Sequence, residues 1–91
     1  MIPKSQLYGY IDLITSEQIR AARALLRMTV VELSGAAEVG VATIKRLESV
    51  DGLPPAHART LDALQKALEA AGVEFIGTPD DSPGVRLRPR S

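Results

Sequence analysis

Residues 29–48, TVVELSGAAEVGVATIKRLE, constrain the fold more than any other stretch of this chain. Thr29 can cap a helix with its hydroxyl. Glu32 stands three residues on, the spacing at which a side chain reaches back to the cap's own N–H. The helix started there ends near Ala37. A turn of about three residues follows, and Val41 to Ser49 form a second short helix. Leu33, Ala36, Ala37, Val39, Ile44 and Leu47 are the apolar positions that lock the pair together. Thr43, Lys45 and Arg46 fall on the polar side of the second helix.

The flanking segments read as three further elements. Thr15 and Gln18 repeat the capping-box spacing, and Glu17 suits the positive end of the helix that follows. Ile19, Ala22 and Leu26 give that helix one buried face, and it runs to about Arg27. Asp51-Gly52 and Pro54-Pro55 interrupt the helical pattern. A fourth helix extends from about Pro55 to Ala71, with Leu61, Leu64, Leu68 and Ala71 on one side. Gly72 is placed to end it in a left-handed conformation. The period then changes. Val73–Ile76 and Val85–Arg88 are short strand candidates around GTPDDSPG, which predicts a hairpin with an eight-residue loop. A lone hairpin is marginal in water, so it must pack on the helices or on another chain. Residues 1–14 read as a partly ordered arm from which Ile11, Leu13 and Ile14 can pack on the body. The expected fold is mainly α: an arm at 1–14, a helical domain at 15–72, and a hairpin and tail at 73–91.

Composition narrows the functions. Ninety-one residues suit one domain with a modest core. The three aromatics are Tyr8, Tyr10 and Phe75, so Leu, Ile, Val and Ala must build that core. With no Cys and one His, His57, the sequence predicts no disulfide, no metal site and no cofactor. His57 has no evident triad partner, and no set of residues suits catalysis, so an enzyme is not expected. Asp80-Asp81 beside prolines reads as a solvated turn. No apolar run approaches the ~20 residues of a membrane span, and the N-terminus lacks the apolar core of a signal peptide. A soluble, cytoplasmic protein is expected.

Two short helices joined by a tight turn suit a helix-turn-helix, which sets one helix in the DNA major groove. From Ser16 to Gly52 the sequence resembles the Cro-like phage-repressor (XRE) family of helix-turn-helix regulators. The likeness is carried by IRAARALL (Ile19 to Leu26), by VELSGAAEVGVATIKRLE, and by the glycine of Asp51-Gly52. It implies a compact lambda-repressor-like bundle of four or five helices, acting on double-stranded DNA as a homodimer at a palindromic operator. It also implies that Arg23 and Glu48 form a structural pair between the first helix and the end of the recognition helix, where a guanidinium and a carboxylate can share two hydrogen bonds.

The departures from that family lie where DNA would be read. Val30 stands where a Gln is frequent and has no donor. Glu38 stands where a Gly makes the turn, and Arg27 where a Gly ends the helix. Gly40 replaces the hydroxyl cap of the recognition helix. Val41 and Ala42 offer only apolar contact, suited to thymine methyls. Thr43, Lys45 and Arg46 remain as candidates for bases or phosphates, with Arg27 as a phosphate contact. Arg86, Arg88 and Arg90 alternate along the last strand, either as a phosphate-binding stripe or as charges that keep the edge from pairing.

The net charge is zero, with 11 basic and 11 acidic residues. Between Thr15 and Ser49, Arg20, Arg23, Arg27, Lys45 and Arg46 oppose Glu17, Glu32, Glu38 and Glu48, a balance of +1. DNA affinity would then depend on local placement of charge and on two copies at paired half-sites. The leading expectation is a small DNA-binding transcriptional regulator, a repressor that occupies a promoter. The alternative is a protein-binding antiactivator or antitoxin on the same fold, with Val30, Val41 and Ala42 as an exposed apolar surface for a regulatory protein partner.

Overall fold

A computed structural model describes residues 13–89. Four helices are followed by a two-stranded antiparallel hairpin: α1 Ser16–Leu26, α2 Val30–Ala37, α3 Val41–Glu48, α4 Ala58–Ala70, β1 Val73–Thr78 and β2 Asp81–Leu87. The expected arm lies outside the described residues except for its end. There Ile14 is buried and Leu13 is exposed.

Both capping boxes form. Thr15 Oγ1 accepts from the Gln18 N–H at 3.1 Å, and Gln18 Oε1 accepts from the Thr15 N–H at 2.8 Å. Thr29 and Glu32 repeat the exchange at 3.0 and 2.8 Å. Each box satisfies two backbone donors that the first helical turn would otherwise leave open. The first two helices end on residues in the left-handed region, Arg27 at φ 52° and Glu38 at φ 57°. Side chains other than glycine pay for that conformation, so packing on either side must impose both turns.

Ile14, Ile19, Ala22, Leu33, Ile44, Leu47, Leu61, Leu64, Leu68 and Val73 form the core. Leu26, Ala37, Val39, Phe75 and Val85 pack on its margin. The core is thus almost wholly aliphatic. Two expected core positions are not in it: Ala36 is exposed in the last turn of α2, and Ala71 is exposed at the cap just beyond α4.

The remaining differences are at element ends. Helix α4 begins at Ala58, capped by His57, because the chain through Pro54 and Pro55 stays extended or bent. Proline disfavours helical backbone in the residue before it. The hairpin is tighter than an eight-residue loop. Thr78 pairs with Asp81, leaving Pro79-Asp80 as the turn. Between Ile76↔Gly84 and Thr78↔Asp81, Gly77 stands opposite Ser82-Pro83, a β-bulge. Gly77 is required there: at φ 74°, a Cβ would lie 2.1 Å from the Ser82 carbonyl oxygen. Pro83 has no N–H to pair and is tolerated at the bulge.

One side chain seats the hairpin. Gln18, buried, donates from Nε2 to the Ile76 carbonyl at 3.1 Å and to the Gly84 carbonyl at 2.9 Å. Its Oε1 is already engaged in the helix cap. The amide therefore joins α1 to both strands.

Leu64, fully buried on α4, tests the core. Leu64→Ala should cost about 2–5 kcal/mol in urea unfolding, the range for a truncated core leucine. A near-neutral result would place this face of α4 outside the core.

Candidate nucleic-acid interface

Helix α3 is divided by burial. Ile44, Leu47 and Glu48 point inward. Ala42, Lys45 and Arg46 are exposed, while Val41 and Thr43 are half-buried. The predicted reading residues on α3 therefore share one outward surface, with Thr43 and Val41 at its margin.

Helix α1 sets the direction of that surface. Arg23 Nε donates to Glu48 Oε2 and Nη2 to Glu48 Oε1, both at 2.6 Å, the two parallel bonds of an arginine–carboxylate fork. Arg23 Nη1 also donates to the Met28 carbonyl at 3.0 Å, fixing the turn into α2. Arg20 Nη1 donates to the Glu48 and Val50 carbonyls. Ser16 Oγ donates to the Leu47 carbonyl at 2.6 Å. Ser16, Arg20 and Arg23 fall at i, i+4 and i+7, one stripe of α1. Ser16 and Arg20 occupy carbonyls at the end of α3 that have no partner within the helix, and Arg23 holds the Glu48 carboxylate. Only Arg23 was anticipated. The spacing of Ser16 and Arg20 was the available signal, but polar side chains on that stripe read as surface.

The opposite end of α3 is open. Gly40 provides its cap without a side-chain hydrogen bond. The loop after α3 is closed onto α1 from the other direction. The Ser16 N–H donates to the Gly52 carbonyl at 2.8 Å, and the Gly52 N–H donates to Glu17 Oε1 at 2.9 Å. Hydrogen bonds from its own backbone N–H and from that of Gly52 hold the Glu17 carboxyl below the usual glutamate range. The Thr29 N–H and hydroxyl do the same for Glu32.

The other predicted site residues have different settings. Arg27 is exposed at the end of α1 and lines a groove with Leu25, Gly72, Leu87 and Arg88. Val30 is half-buried and packs against the core, so it does not join Val41 and Ala42 in an open apolar surface. Its neighbour Val31, 69% exposed, is the valine that faces solvent on α2. Arg86 is tied across the hairpin to Glu74 at 2.9 Å, and Arg90 lies outside the described residues. Asp80, Asp81 and His57 are exposed. Among the described residues no group of three His, Asp or Glu side chains is placed to hold a metal ion, and no helix is long and apolar enough to cross a membrane.

No family model matches this chain, and no curated protein matches it as a relative.

Two measurements check this geometry. In a double-mutant cycle, Arg23→Ala and Glu48→Ala should each destabilise by about 1.5–3 kcal/mol, the range for hydrogen bonds to charged groups. The double mutant should cost less than their sum by about 0.5–3 kcal/mol; additive losses would mean that the fork is not formed in solution. For Glu17 and Glu32, the native state binds protons less readily than the unfolded chain. Their contribution is therefore complete above the ordinary glutamate range and is lost as pH falls through and below it. Glu17→Gln/Glu32→Gln should flatten the decline of the urea midpoint between about pH 5 and 3. An unchanged decline would remove these two carboxylates as its source.

Proposed function

We propose that the protein is a small sequence-specific DNA-binding regulator of the Cro-like (XRE) type, with α2 and α3 as its helix-turn-helix and α3 as the helix that enters the major groove. In this reading Arg46 and Lys45 reach bases or phosphates, Thr43 contributes from the margin, and Val41 and Ala42 meet thymine methyls. With so few reading side chains, two copies bind two half-sites about one helical turn apart. In this reading the protein acts by occupying a promoter.

The observation that carries this reading is the fate of two carboxylates that could otherwise neutralise the cations of α3. Glu48 is turned inward and held by Arg23. Glu32 folds back onto the Thr29 N–H. Among the described residues Lys45 and Arg46 have no ion-pair partner, although both stand exposed in the last turn of α3, the end braced by α1. A rigid element presenting uncompensated cations suits a polyanion. The protein-binding alternative is less well supported, because Val30 is packed away from the surface it would need.

Fluorescence-anisotropy titration against the DNA upstream of the protein's own gene, with scrambled competitor, tests the proposal. Lys45→Ala/Arg46→Ala should weaken binding at least about 30-fold, from two contacts worth about 1–3 kcal/mol each. Its melting temperature should stay near that of the wild type, since both side chains are exposed. Undiminished affinity in the double mutant would overturn the assignment of α3.

A further inference from the structure

We propose that Arg88, just beyond β2, acts with Arg27 as a second cationic contact for the phosphate backbone, beside the footprint of α3. This rests on the DNA-binding reading above and extends it to the hairpin.

Three observations converge. Arg27 and Arg88 line the same groove although they are far apart in sequence. Neither has an ion-pair partner among the described residues. Both are exposed, yet each is anchored through its backbone. The Arg88 N–H donates to the Gly72 carbonyl at 2.8 Å, continuing the hairpin pairing past Leu87. The Arg27 N–H bonds back into the last turn of α1. The arrangement thus has fixed stems and free heads.

Two arginines lining one groove set like charges beside it, and an anion bound there would offset both. The groove is open and its walls include Leu25, Leu26 and Leu87. Such walls support the aliphatic stems of arginines while the charged ends stay in water. An open groove with two solvated cations suits an extended polyanion better than a small enclosed anion. Position points the same way. Arg27 lies two residues before the Thr29 cap of α2, and its helix carries the Arg23 fork that orients α3. Arg86 makes the comparison: it lies two residues before Arg88, but Glu74 neutralises it with bonds of 2.9 and 3.2 Å.

The test uses the full chain, the upstream duplex and an unrelated duplex of equal length, with anisotropy read across a salt series. Arg88→Gln should weaken both duplexes by the same factor and lower the log–log salt slope by about 1. The affinity ratio between 50 and 200 mM salt would then narrow about 3.5-fold. Arg27→Gln should do the same, and Arg88→Lys should keep the slope. Arg86→Gln makes the same change in net charge and should have a clearly smaller effect. Thermal melts identify any variant that fails to fold, and Arg88→Lys then decides the matter through its retained slope. An Arg88→Gln slope equal to that of Arg86→Gln would mean a net-charge effect and overturn the proposal. Weakening of the upstream duplex alone would mean a base contact and overturn it too. Wild type that binds neither duplex would bring down the DNA-binding reading itself, an outcome distinct from wild-type binding that Arg88→Gln leaves unchanged.

Discussion

The fork between Arg23 and Glu48 is the interaction on which the rest of the arrangement depends. Helix α3 spans only Val41–Glu48, too short to be stable alone in water. Its cap, Gly40, adds no side-chain bond. Order must therefore come from the other end, and it comes from α1. Ser16 takes the Leu47 carbonyl, Arg20 takes those of Glu48 and Val50, and Arg23 takes the Glu48 carboxylate. The last turn of α3 is thereby registered against a longer, doubly capped helix. Arg23 also holds the Met28 carbonyl, so one guanidinium fixes both the end of α3 and the entry to α2.

Helix α1 carries the hairpin by comparable means. A two-stranded hairpin is marginal by itself, and this one is joined to the body through the Gln18 amide and through Val73, Phe75 and Val85 at the core. The Gln18 oxygen completes the cap of α1 while its nitrogen bridges two strand carbonyls, so the start of α1 and the seating of the hairpin depend on one side chain. This is the mechanical reason that Arg27 and Arg88 come to line one groove.

Much of this could be read from sequence where a local rule decides the outcome. The capping boxes at Thr15-Gln18 and Thr29-Glu32 and the apolar faces of α1 and α4 follow from spacing and side-chain chemistry, whereas the turn at Glu38 is implied only by the family resemblance. Legibility ends where several residues satisfy the same rule. Every residue of GTPDDSPG tolerates a turn, so composition alone could not show that Pro79-Asp80 turn while Gly77 and Ser82-Pro83 form a bulge. The start of α4 slipped because prolines suit both a first helical turn and the extended chain before one. Ser16, Arg20 and the second role of Gln18 were hidden for a different reason. Their partners are backbone carbonyls, and a carbonyl leaves no trace in the identity of its residue.

The same distinction governs charge. A balance of +1 between Thr15 and Ser49 counts every charge equally, but the folded chain does not use them equally. Arg23 and Glu48 cancel at 2.6 Å. Arg20 is turned onto the end of α3, where a cation offsets the negative end of the helix. Glu17 and Glu32 lie in the first turns of α1 and α2, where the positive helix end offsets a carboxylate. Arg27, Lys45 and Arg46 remain against Glu38, all four exposed and without an ion-pair partner among the described residues. Screening confines each exposed charge to about 8–10 Å, so an approaching phosphate responds to the local set rather than to the sum. A chain of zero net charge can thus present a cationic face, provided that its carboxylates are spent on caps and forks, as Glu17, Glu32 and Glu48 are here.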